Sequence, residues 1–251
     1  MTVEIVPVPC LSDNFAYLIH GGGETALVDA PEAAPIRAAL AERGWTLSKI
    51  LITHHHSDHV DGVPALRMGA QVIGSAADAH RLPELDRAVS PGDAVEVCGG
   101  EAHVIDVPGH ADNHIAFHLP HAGAVFTADS LMAMGCGRLF EGTPEQMMGT
   151  MERLSALPEE TVVYQGHDYM ATNLRFALDV EPSNDKLKAR AEADERRRAE
   201  DRPFHHPTLR EERDTNPFLR TASAGLRETM GMAGASDLEV FTALREKRNG
   251  Y

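Results

Sequence analysis

The chain has 251 residues, 43% hydrophobic and 24% charged, with a formal net charge of -15 at pH 7. That length allows one large domain, or one with a small appendage, and the acidic balance argues against nucleic acid or an anionic membrane as a partner. Three scattered cysteines exclude a disulfide framework or a Cys-rich zinc site, no apolar run is long enough to span a bilayer, and the N-terminus has no basic, apolar leader pattern, so a cytoplasmic location is expected.

Alternation over residues 3–8 predicts a strand. A second is expected over 15–20 and, after the glycine turn at 21–23, a third over 25–30. Ile36, Leu40 and Ala41 at helical spacing predict a helix over 31–44, closed by Gly44. The apolar run 50–52 reads as a buried strand that leads directly into residues 53–59, Thr-His-His-His-Ser-Asp-His. Residues 60–66 look like the first turns of a helix. Short strands follow at 71–74, 94–97 and 102–107, the last leading to His110. Residues 114–119 and 124–127 predict a hairpin that ends at Asp129, and a final strand over 161–164 reaches His167. After about Tyr169 the character changes. The charged, Ala-rich run 184–201 predicts a helix capped by Ser183 or Asn184 and stopped by Pro203. Phe218, Leu226, Leu238, Val240 and Leu244 mark further short helices. The expected architecture is an α/β sandwich with helices outside two sheets, residues 1–169, and a small helical domain, residues 170–251.

The chemistry concentrates at strand ends. His54 and His56 are two apart on extended chain, so their rings point to one side. Asp58 and His59 fall on the turn into the helix and face a different point, which suits two adjacent metal ions better than one. The chain thus offers His54, His56 and His110 as one donor set and Asp58, His59 and His167 as another, with Asp129 as the natural bridge. Imidazole and carboxylate donors without thiolate accept zinc, iron or manganese. His55 points the other way and is expected to support the site, His114 to pack beneath it. His103, His118, His121, His205 and His206 are expected to be structural.

The pattern at 54–59 resembles the signature of the metallo-β-lactamase superfamily, whose fold is an αββα sandwich. Longer stretches are similar to the glyoxalase II (hydroxyacylglutathione hydrolase) family: residues 13–17, 126–129, 135–143, 166–169, 173–177, 180–182 and 215–220. That resemblance implies a thioester hydrolase converting S-D-lactoylglutathione and water to D-lactate and glutathione, in methylglyoxal detoxification. It implies His54, His56 and His110 around a first metal, Asp58, His59 and His167 around a second, and Asp129 between them. A shared hydroxide, oriented by Asp58 and Asp129 as the catalytic carboxylates, would attack the thioester carbonyl. Zinc is the first expectation for both ions. Arg138, Tyr169, Arg245 and Arg248 would grip glutathione, and the protein would act as a monomer. The family usually has Lys at the positions of Arg138 and Arg248, and its eukaryotic members have Tyr at that of Phe140. Rivals on the same fold are a one-iron persulfide dioxygenase, which normally lacks the helical extension, and a nuclease, which needs a basic groove. A non-catalytic binding module is the rival from another class.

Overall fold

The computed structural model describes residues 2–251. Strands β1 (Glu4–Cys10), β2 (Asn14–Gly21), β3 (Glu24–Val28), β4 (Lys49–Leu51), β5 (Gln71–Ser75) and β6 (Arg87–Val89) lie in that order in one sheet, antiparallel as far as β3 and parallel from there on. β7 (Ala94–Val97), β8 (Gly100–Asp106), β9 (Ile115–Leu119) and β10 (Ala124–Ala128) form an antiparallel meander in the second sheet. β11 (Leu131–Met132) and β12 (Gly135–Cys136) make a short hairpin, and β13 (Val162–Gln165) runs parallel to β10 at the second sheet's edge. The helices are α1 (Ala33–Arg43), α2 (Ser57–Val60), α3 (Val63–Leu66), α4 (Pro144–Ser155), α5 (Met170–Val180), α6 (Asp185–Ala199), α7 (Leu209–Thr215), α8 (Ala224–Met230) and α9 (Asp237–Arg248). None of the described helices is long and apolar enough to cross a membrane.

Period-two patterning explains the layers. Tyr17, Ile19, Ala26, Val28 and Leu51 from the first sheet meet Val104, Ile115, Phe117 and Phe126 from the second in one core. The opposite face of the first sheet, Leu18, Leu27, Ile50 and Val72, packs on Ile36 and Leu40 of α1 and on Val63 and Leu66 of α3. The outer face of the second sheet, Ala116, Val125 and Val163, is covered by Met147, Met151 and Leu154 of α4 and by Phe176, Phe241 and Leu244 from α5 and α9. The result is the four-layer αββα order.

The short strands β6, β11 and β12 were not anticipated from sequence, and two helices also differ from that reading. The single helix expected at 60–66 is split into α2 and α3. Gly62 lies so close to β3 that a Cβ there would sit 2.8 Å from the Ala30 carbonyl oxygen, and Pro64 starts the second piece. Helix α4 was not anticipated, although its start is legible. Thr143 accepts from the Gln146 backbone, the Gln146 side chain answers, and Pro144 occupies the first turn. For α6 the cap is Asn184, whose side chain accepts from Leu187 N.

The helical region is fastened by Glu181, which is 2% exposed. Its carboxylate accepts from Arg220 Nε and a second guanidinium nitrogen, both at 2.8 Å, from Asn184 at 3.0 Å, and from the Ser223 hydroxyl. Burial opposes its ionisation, but Arg220, Ser223 and Asn184 outweigh that and hold it below the usual range. Glu181→Ala should therefore cost about 3 kcal/mol, the low end for a broken buried pair because Arg220 keeps some solvent contact. A depressed carboxyl stabilises fully above its unfolded pKa, near 4.5, and loses that contribution as pH falls through the folded value. Thermal melts at pH 7 and in acid should show the wild type and variant far apart at neutrality and converging at low pH.

Candidate metal centre

The parallel strands β3 and β4 end side by side, and the chain leaving each carries the first part of the site. Asp29 follows β3 with a left-handed φ of 55°. Thr53, His54 and His56 follow β4, and Asp58 and His59 sit in the first turn of α2. The second sheet delivers the rest. His110 lies on the turn after β8, Asp129 follows β10, and His167 follows β13. A register shift between Phe126 and Ala128, with φ 41° at Ala128, swings Asp129 out of the strand pattern toward the first sheet.

All seven expected donors converge. His56 Nδ1 lies 3.1 Å from His54 Nε2 and 2.9 Å from His110 Nε2. In the second set, Asp58 Oδ2 lies 3.4 Å from His167 Nε2 and 3.8 Å from His59 Nε2. Asp129 spans both sets: Oδ2 is 3.3 Å from His110 Nε2 and 3.2 Å from His167 Nε2, and Oδ1 is 3.5 Å from His59 Nε2. Both groups of three satisfy the spacing for shared coordination, within 4.8 Å of one another.

The far nitrogens define which atoms point inward. Thr53 Oγ1 donates to Asp29 Oδ2 and so accepts from His54 Nδ1 at 3.0 Å. His59 Nδ1 donates to Asp29 at 2.9 Å, His110 Nδ1 to the Arg138 carbonyl at 2.8 Å, and His167 Nδ1 to Asp13 at 2.8 Å. With Nδ1 carrying the proton in these four rings, each presents an Nε2 lone pair to the centre. His59 Nε2 and Asp129 Oδ1 are buried with no hydrogen-bond partner. Orphaned inward lone pairs beside a buried carboxylate are unfavourable by themselves, and a divalent cation satisfies them. The donor set therefore fits hard or borderline metals.

Electrostatics divides the two sets. Burial pushes His54 well below the ordinary imidazole range and His56 down to about 4, and it lowers His110 despite Asp129. These rings are neutral at pH 7, the form that binds metal. His59 and His167 resist the same burial because Asp129 holds them up. Asp129 in turn is kept ionised by His59 and His167 against its own burial.

The supporting histidines lie where the sequence put them. His55 faces away and meets Asp78 at 3.1 Å and Glu141 at 3.5 Å. His114 stacks on His54 with ring centroids 4.5 Å apart. Four outer residues were not singled out from sequence: Asp13, Asn14, Asp29 and Thr53. The readable signal was a carboxylate ending the apolar run at 25–28, and another just before the strand at 15–20.

Tyr169 stacks on His167, centroids 4.9 Å apart, and burial with nearby Asp13 and Asp129 pushes its hydroxyl up to about 12, so it remains a donor. Arg138 is exposed, and its backbone carbonyl accepts from His110 Nδ1. Arg248 is half-buried, donates to Asn173 at 3.0 Å, and is crowded by Arg245 and Arg138. Phe140 is 62% exposed and packs edge-on against His56 and His110. Arg245 is buried, donates to the Cys136 and Gly137 carbonyls at 2.6 and 3.3 Å and to Asn249 at 3.1 Å, and so clamps backbone beneath Arg138, while its Nε has no hydrogen-bond partner. Cys136 is buried and burial raises its thiol pKa, which removes it as a nucleophile.

Two family models together match nearly the whole chain: the metallo-beta-lactamase superfamily over residues 12–167 and the hydroxyacylglutathione hydrolase C-terminus over residues 168–251. A hydroxyacylglutathione hydrolase from Ruegeria pomeroyi is 55% identical over 255 residues, covering 100% of each chain. Among solved structures, ETHE1 from Myxococcus xanthus is 26% identical with a TM-score of 0.65, covering 99% of this chain and 98% of its own. TTHA1623 in a di-iron-bound form is 28% identical with a TM-score of 0.57, covering 65% of this chain and 91% of its own.

Proposed function

The chain belongs to the hydroxyacylglutathione hydrolase family of the metallo-β-lactamase superfamily, and from that premise we propose that its seven converging donors hold two divalent ions for the hydrolysis of S-D-lactoylglutathione. It is a thioester hydrolase. The observation that carries the two-ion reading is Asp129, whose carboxylate reaches His110 of one set and His59 and His167 of the other. The di-iron form of TTHA1623 supports it. His54, His56 and His110 hold the first ion, Asp58, His59 and His167 the second, and zinc, iron and manganese all suit these donors.

Bound there, the ions supply Lewis acidity, polarising a carbonyl and making water acidic near neutral pH. The chain does the rest. Asp58, steadied by Asn14 at 3.0 Å, and Asp129 orient the attacking water as catalytic carboxylates. The leaving thiol has a pKa of about 8.5, so no strong general acid is needed. Arg138 and Arg248 attract the carboxylates of the glutathione half against the chain's acidic field, and the Tyr169 hydroxyl donates to it. Arg245 holds the backbone that presents Arg138. All donors come from one chain, so a monomer suffices. We place the division between catalytic and helical substrate-binding domains at 169/170. Three unpaired, buried thiols suit the cytoplasm.

The test is release of free thiol from S-D-lactoylglutathione. Chelation should abolish it and zinc, iron or manganese restore it; hydrolysis indifferent to chelation would overturn the metal reading. In the same assay Arg248→Ala should raise KM roughly 10–100-fold with kcat near wild type, the loss of a charged hydrogen bond made equally to ground and transition states.

A further inference from the structure

The residues behind the two ligand sets are not equivalent. Behind the first set stand neutral acceptors, the Thr53 hydroxyl for His54 and the Arg138 carbonyl for His110. Behind the second stand carboxylates, Asp29 for His59 and Asp13 for His167, and Asp58 itself receives Asn14 Nδ2 at 3.0 Å. Asp29 also serves His54 indirectly, through Thr53. Asp13 and Asn14 serve the second set alone.

Asp13 ends the turn between β1 and β2 and Asn14 opens β2, both remote in sequence from every donor they touch. The turn is stitched to the His167 segment by backbone: Phe15 N donates to the Gly166 carbonyl and Asp168 N to the Asp13 carbonyl, both at 2.8 Å. Its geometry is therefore set independently of the Asp13 carboxylate. A carboxylate accepting from the far nitrogen of an imidazole makes the ring a stronger donor and fixes its orientation, more than a neutral oxygen does. Extra negative charge behind the second set also raises its attraction for a dication. The Asn14 amide takes a little charge from Asp58, but it removes that side chain's rotational freedom.

We propose that Asp13 and Asn14 are positioning residues that make the second position, Asp58, His59 and His167, the tighter of the two, so that it fills first and empties last. This rests on the two-ion reading above. The first position, with three neutral imidazoles and neutral backing, is then the exchangeable one.

Metal-free protein is titrated with zinc against a competing chromophoric chelator, resolving both equivalents. The wild type should bind one equivalent more tightly than the other. Asp13→Asn, which keeps the shape but not the charge, should weaken the tighter equivalent about 10–100-fold and leave the weaker one unchanged. Asn14→Ala, acting through Asp58, should weaken the same equivalent, and it carries the test alone should Asp13→Asn fail to fold. Weakening of the looser equivalent only, or of both alike, or of neither, overturns the ordering and leaves the two-ion reading standing. A wild type that takes up a single zinc overturns the two-ion reading itself, and the ordering with it.

Discussion

Asp129→Ala is expected to remove metal and activity together. The carboxylate is buried, with Oδ2 3.3 Å from His110 and 3.2 Å from His167 and Oδ1 3.5 Å from His59. Alanine leaves three inward nitrogens, drawn from both sets, without the negative charge that balances them. On the two-ion reading proposed above each position loses a donor at once, and the loss of preorganised charge alone lowers kcat by about 10²–10³-fold. Metal analysis of purified protein, read beside thiol release, checks both parts. Asp129→Asn separates charge from shape, and it should resemble alanine because an amide presents only one oxygen to two positions. A variant that keeps two ions and full turnover would falsify the bridging role.

Gly166→Ala should be nearly as damaging, although Gly166 carries no chemistry. A Cβ there would collide with Asp129 Oδ1 and lie 2.9 Å from His59 Cε1. The backbone cannot retreat, because Gly166 N donates to the Ala128 carbonyl at 2.9 Å and its own carbonyl accepts from Phe15 N at 2.8 Å. One methyl group thus displaces two donors, the carboxylate that spans both sets and a histidine of the second set. Overpacking should cost about 1–3 kcal/mol of stability, and a misplacement near 1 Å about 10²-fold in turnover. Gly149→Ala is the control. Gly149 lies inside α4 and its added Cβ meets nothing closer than 3.5 Å, so alanine should stabilise by roughly 0.5–1 kcal/mol. Melting temperature should move in opposite senses for the two glycines, while metal content and thiol release should fall for Gly166→Ala and stay at wild-type level for Gly149→Ala.

Much of the site could be read along the chain. His54, His56, Asp58 and His59 are close in sequence, and a strand followed by a helical turn dictates where each points, so local geometry was enough. His110, Asp129 and His167 were readable because each ends an apolar run, and strands of one sandwich terminate at common edges. The glutathione side was less legible. A guanidinium's role depends on what lies within a few ångströms of its tip. Arg245 and Arg248 look alike in sequence, yet one is buried against the Cys136 and Gly137 carbonyls while the other keeps partial exposure.

By itself, then, the sequence determined the alternation of strands and helices, the donor types and the fastening of polar residues to strand ends, because these follow from periodicity and side-chain chemistry over a few residues. Tertiary structure alone decided the outer ring, Asp13 on His167 and Asp29 on His59, across separations of 154 and 30 residues. It also decided which glycines stand against the donors. Those relations depend on how two sheets meet, a distance through space that no local pattern records.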